Sequence, residues 1–148
     1  MIQEIRIVPD PVLLNKSHKV RKQRIDYIRQ VSKDLTDTVK DHKGLGLAAP
    51  QIGVSLRMIA VDIKPGEGLY AVFINPEITY FSEEKEVGDE GCLSLPGMIA
   101  KVVRSKVVHV RWDGGNRQYV GLAARILQHE IDHLNGVLLY DVAIIGET

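Results

Sequence analysis

The sequence predicts an α+β fold in which mostly antiparallel strands pack around a C-terminal helix, with a long helix nearer the N-terminus. Three observations predict it. Apolar residues recur at helical spacing near both ends of the chain. Short β-branched runs, punctuated by Pro, Gly and Asn, fill the middle. A hairpin signal, Asp113-Gly114-Gly115, joins two of those runs without a crossover.

In order, the prolines at 9 and 11 restrict the segment Val8 to Leu14 to an extended or turning path. The first helix runs from about Arg24 to Asp41. Ile25, Ile28, Val31, Leu35 and Val39 supply its apolar side, Arg29, Lys33, Asp34 and Lys40 its solvated side, and Gly44 its stop. "SLRMIAVDI" reads as a buried strand ended by Pro65-Gly66. "LYAVFI" and "EITYF" are two more, parted by Asn75-Pro76. "SEEKEVGDE" reads as a charged connection. "AKVVRS", "KVVHVRW" and "RQYVG" complete the strands before a second helix from about Leu122 to Leu134, which Asn135-Gly136 ends. "VLLYDV" reads as a last short strand.

The 148 residues suit one domain spanning 1–148, with 45% apolar and 26% charged content. Nineteen basic residues balance nineteen acidic ones, so bulk charge offers nothing to nucleic acid or an anionic membrane. No run of 18 apolar residues and no signal-peptide pattern occur, and a cytoplasmic location is the expectation. The single cysteine, Cys92, has no partner for an internal disulfide.

The chemistry concentrates in "LQHEIDHLNG", which contains H-E-x-x-H. Residues four apart on a helix lie roughly 5.4 Å along one face, so His129 and His133 can share one ion. Glu130 then stands close enough to exchange a proton with water at that ion. Leu122, Ile126, His129 and His133 fall on one face, which makes this the metal-binding helix. A third ligand does not follow downstream: the histidine of the metzincin pattern is missing, and the tail offers only Glu147. Upstream candidates are His18, His42, His109 and Cys92. Cys92 is favoured because it sits in the glycine-bounded "DEGCLSLPG", where backbone can approach an ion and a thiolate is a strong ligand. "GLGLAAPQIG" begins like a dinucleotide loop, but it follows a helix, and Pro50 leaves no room for another. Its small residues better suit a backbone edge for an extended peptide, with Gln51 donating an amide N–H to the reacting centre.

Taken together, "GLGLAAPQ", "EGCLS" and "QHEIDH", in this order, resemble the three signature motifs of peptide deformylases, and the similarity covers nearly the whole chain. The resemblance implies a metal-dependent hydrolase that removes the N-formyl group from the initiator methionine of new polypeptides and releases formate. It implies Cys92, His129 and His133 as ligands to one divalent ion, Fe2+ in vivo with Zn2+, Ni2+ or Co2+ as substitutes. Glu130 would move the proton, while Gln51 and the backbone N–H of Leu93 would stabilise the oxyanion. The N-formylmethionyl peptide would pair with backbone at Leu45 and Gly46 and near Gly91, its methionine entering a pocket lined by Leu122, Ile126 and His129. Two departures stand out. Met98 and Ile99 occupy the place where many relatives carry a substrate-contacting arginine, and Arg104 need not replace it. The chain also stops before the C-terminal helix through which longer members meet the ribosome, so a monomer without that contact is expected. The alternatives are an H-E-x-x-H metallopeptidase, which lacks its downstream ligand here, and a non-catalytic peptide-binding relative, which would have lost Glu130, Cys92 or Gln51. A structural metal module would want a fourth protein ligand.

Overall fold

The computed structural model describes residues 1–21 and 25–144. A one-turn helix, α1 (Pro11–Leu14), opens the fold, capped by the Asp10 carboxylate on the Val12 N–H. The long helix α2 (Ile25–Asp41) follows. The start expected at Arg24 and the tail residue Glu147 lie outside the described residues. Val31, Leu35 and Val39 are buried as their spacing predicts, whereas Ile25 is 61% exposed. The helix is not ended by a left-handed glycine at 44. Lys43 takes the positive φ of +52°, and the Gly44 N–H then reaches back to the Val39 carbonyl. Gly44 fits for a different reason, because a Cβ there would press on Val39 at 3.2 Å.

Among the described residues, eight strands form three antiparallel sheets. β1 (Gly46–Ala48), β2 (Met58–Asp62) and β3 (Tyr70–Ile74) make one, in the order β1-β2-β3. β4 (Glu77–Phe81), β7 (Val107–Trp112) and β8 (Gly115–Val120) make another, in the order β4-β7-β8. The two-residue turn Asp113-Gly114, with Gly114 at φ +110°, closes β7 onto β8 as the sequence signalled. The third sheet is a hairpin of β5 (Lys85–Gly91) and β6 (Ile99–Ser105). Reading "SEEKEVGDE" as a connection therefore holds only as far as Glu84, and from Lys85 the run is β5. Its charges sit on a strand whose outward face is solvated, and its register is fixed by β6. "VLLYDV" is corrected too: Leu139–Val142 is a helical turn, α4, capped where the Leu138 N–H donates to the Asp141 carboxylate at 2.8 Å.

The last long helix, α3 (Gly121–Leu134), lies between the sheets. All five residues of β2 are buried, and the strand is apolar on both sides because it is covered on both. Met58 and Ala60 pack with Val31, Leu35 and Val39 of α2. Ile59 and Val61 pack with Leu127, Ile131 and Leu134 of α3 and with Val108 and Val110 of β7. α3 is thus pinned from several directions, which fixes the azimuth of every side chain it carries. It ends where expected: Asn135 caps it, and Gly136, at φ +72°, lies so close to Leu14 that a Cβ would stand 2.7 Å from the Leu14 carbonyl oxygen. No helix among the described residues is long and apolar enough to cross a membrane.

Candidate active site and metal centre

Helical spacing delivers His129 and His133 to the same side of α3, where both are buried. Cys92 arrives from the end of β5, just past Gly91. Among the described residues these three form a cluster whose ligand atoms all lie within 4.8 Å of one another, with the Cys92 Sγ 3.4 Å from His133 Nε2. One thiolate and two imidazoles suit a borderline-soft divalent ion and leave a position open for reactants.

The other three histidines do not join them. His18 forms a backbone bridge to Leu56, His42 places its ring against the Thr38 carbonyl at the cavity rim, and His109 stacks beside Tyr80 on an outer sheet face.

His129 is fixed by a residue that the sequence reading did not assign. Its Nδ1 lies 2.8 Å from Glu90 Oε1, which leaves Nε2 to face the cluster. Glu90 also accepts from Arg104 through Nε and Nη2, both at 2.9 Å, and from Arg125 Nη1 at 2.6 Å. Arg104 Nη1 continues to Asp132 Oδ2 at 2.6 Å. Arg104 is thus held inside the scaffold by Glu90 and Asp132. Burial alone would raise the Glu90 pKa, but the bonds from Arg104 and His129 outweigh it and hold the group at about 2. The signal was present in the sequence. Glu90 is a carboxylate two residues before a proposed ligand, and metal-binding imidazoles commonly lean on such a group. Arg104 and Asp132 gave no comparable hint.

His133 differs. Its Nδ1 is buried without a partner, and burial pushes its pKa well below the ordinary value, which favours the neutral ring. Glu130 is buried with Oε1 unpartnered, and burial raises its pKa to about 7. That suits a group that must take and return a proton near neutral pH. An orphaned buried carboxylate oxygen beside three convergent donors is what an ion with its water would satisfy, so these residues fit a metal centre.

Gln51 is oriented from both ends. Its Oε1 accepts from the Ala48 N–H at 2.9 Å, while Nε2 donates to Ser94 Oγ at 3.1 Å and points at Cys92 Sγ, 3.7 Å away. The segment carrying it is a 3-10 turn, Ala49–Ile52, where no further helix was expected. Gly46 has a steric role: a Cβ there would stand 2.8 Å from Glu130 Oε2, so only glycine lets β1 pass this close to the carboxylate. A cavity of about 500 Å³ gathers Leu45, Gly46, Gln51, Gly91, Cys92, Leu93, Leu122, Ile126, His129 and Glu130. Every predicted site residue except His133 lines it, and His133 sits behind, at the cluster. Met98 and Ile99 also line it, so the departure from the arginine-bearing pattern falls on the cavity itself.

The chain also matches known proteins over nearly its full length. Residues 2–145 match the family Polypeptide deformylase. The chain belongs to that family. A peptide deformylase of Pseudothermotoga lettingae is 47% identical over 148 residues, covering 96% of this chain and 83% of the relative. The crystal structure of peptide deformylase from Thermotoga maritima superposes with a TM-score of 0.87 at 37% identity, covering 97% of this chain and 99% of that one. A class I type b peptide deformylase from Acinetobacter baumannii, solved with Met-Ala-Ser bound, gives a TM-score of 0.88 at 31% identity, covering 96% and 98%. The chain is an enzyme of this kind, a metal-dependent hydrolase of the deformylase family, and the metallopeptidase alternative is not favoured.

Proposed function

We propose that this chain, acting as one catalytic unit, hydrolyses the formamide at the N-terminus of a formylmethionyl peptide, with Cys92, His129 and His133 as the metal ligands. A divalent metal held there supplies Lewis acidity and brings the pKa of water at the site toward neutrality. The donor set accommodates Fe2+, Zn2+, Ni2+ or Co2+, and we take Fe2+ as the resident ion. Glu130 accepts the proton from water as its oxygen adds to the formyl carbon. The carbonyl oxygen becomes an oxyanion facing the Gln51 amide and the backbone N–H of Leu93. When the C–N bond breaks, Glu130 returns the proton to the leaving amine, and formate and a free N-terminus result. β1 is an edge strand, so its outer side at Gly46 is open to pair with an extended peptide, with Leu45, whose carbonyl takes the Asp62 N–H, next to it and Gly91 across the cavity. Leu122 and Ile126 then receive the first side chain.

The observation that carries this reading is Glu130: buried, half unpartnered, and in the same cavity as Gln51 and two of the ligands. The test is amine release from formyl-Met-Ala-Ser by nickel-loaded protein beside Glu130→Gln. We expect a loss of about 100-fold or more in kcat with metal content unchanged. Turnover by the variant at the wild-type rate would remove Glu130 from the reaction, and a fully loaded wild type that releases no amine would overturn the assignment.

A further inference from the structure

At the wall of the cavity one side chain crosses from α3 to the β5–β6 hairpin. Arg125 Nη1 donates to Glu90 Oε2 at 2.6 Å and to the Val102 carbonyl at 3.0 Å, and Nη2 donates to the Glu86 carbonyl at 2.7 Å. Three acceptors on two strands hold the guanidinium in one place, with 12% of the side chain exposed. Its seat is Gly88 on β5. A Cβ there would stand 2.8 Å from Arg125 Cζ and 3.0 Å from Nε. Gly88 shows no positive φ, so space and not backbone conformation is what calls for glycine. The guanidinium therefore occupies room that a side chain at 88 would otherwise take.

Arg125 lines the same cavity as Leu122 and Ile126, its neighbours on α3. A substrate side chain entering there meets a planar group that cannot swing aside without giving up its bonds to Glu90 and to two carbonyls. An aliphatic side chain at this position could change rotamer at much lower cost. We propose that Arg125, seated over Gly88, is a specificity-determining residue for the first side chain of the peptide, limiting the cavity to an unbranched chain such as that of methionine. The proposal rests on reading this cavity as the methionine pocket.

The test compares kcat/KM of the nickel-loaded full chain on formyl-Met-Ala-Ser and formyl-Phe-Ala-Ser, with calorimetric binding of Met-Ala-Ser and Phe-Ala-Ser alongside. Arg125→Ala should lower the Met-to-Phe ratio about tenfold or more, in turnover and in binding, because it opens the wall. Arg125→Lys keeps the charge and much of the volume but not the three-point hold, so its ratio should fall between those of the wild type and Arg125→Ala. Gly88→Ala should raise KM for the methionyl substrate more than it lowers kcat, because the added methyl drives the guanidinium inward. An unchanged ratio in metal-loaded Arg125→Ala, or equal losses on both substrates, would overturn the proposal and leave Arg125 a clamp between helix and hairpin. If Arg125→Ala fails to fold or to hold metal, Gly88→Ala decides: a loss in kcat alone overturns the proposal. If the wild type binds Met-Ala-Ser but turns over neither formyl peptide, the deformylase reading fails, and the binding ratios still decide the role of Arg125.

Discussion

Glu90 and Asp37 are both held at a pKa of about 2, yet they reach it by opposite routes. For Glu90 the largest influence is burial, which pushes its pKa up, and only the bonds from Arg104 and His129 bring it down. For Asp37 the hydrogen bond from Lys33 comes first and the Met1 ammonium second, with burial a minor opposing influence on an exposed helix surface. The Glu90 cluster holds two guanidiniums and an imidazole on one carboxylate in the interior. The Asp37 cluster makes similar contacts in water. Equal titration positions therefore conceal unequal structural roles: one group cannot be removed without stranding buried cations, and the other can.

The sharpest way to break the comparison is Glu90→Gln. The amide keeps the shape but leaves Arg125 without its anion, Arg104 with Asp132 alone, and His129 Nδ1 without its carboxylate. Loss of one partner from a buried ion network costs about 3–5 kcal/mol, to be read from urea unfolding of the metal-free protein. The same change should weaken metal binding about 10–100-fold in chelator competition, since the ring of His129 loses its orientation. A Glu90→Gln protein with wild-type stability and metal affinity would mean that the cluster is ornamental.

Asp132→Asn is the intermediate case. Asp132 takes only Arg104 Nη1, its side chain is 30% exposed, and Glu90 continues to neutralise that guanidinium. We expect a loss of about 1–2 kcal/mol in unfolding free energy, because water can partly replace the missing charge. Metal affinity should stay near the wild-type value, because Asp132 does not touch His129. A metal defect as large as that of Glu90→Gln would mean that the network acts as a single unit and not through Glu90.

How far each part could be read in advance follows the same division. α2, α3 and the β7–β8 hairpin were legible because their signals are local: apolar spacing, a glycine at a positive φ, a two-residue turn. The ligand pair His129 and His133 was legible for the same reason, being one helical turn apart. β5 was not, because a strand that buries only Glu90 on a small hairpin carries charges where an apolar alternation would be sought. Nor was the anchoring of His129, since Glu90, Arg104 and Arg125 meet only when β5, β6 and α3 are assembled. Long-range partners of a polar residue leave no periodic trace in a sequence. Gly46 and Gly88 are the same kind of case, since each is glycine because of a side chain that arrives from α3.

The smallest effect should come from Asp37→Asn, and its value lies in its pH dependence. The Asp37 pKa is lowered from 3.8 to about 2 in the folded chain, so folding favours the ionised form. The stabilisation from its contacts with Lys33 and the Met1 ammonium is complete above the ordinary carboxylate range. It is lost as pH falls through the window from about 4 toward 2. Asn at 37 has no proton to bind, so the stability gap between wild type and variant, measured with urea, should be small at pH 6 and close as the pH falls through that window. Adding salt at pH 6 should narrow the gap as well, because these charges face solvent. Glu90 offers the contrast that makes the measurement informative: its gap should hardly respond to salt, since its partners are shielded from water. A salt-insensitive Asp37 gap, or one that widens on acidification, would mean that the helix-surface cluster resembles the interior one after all.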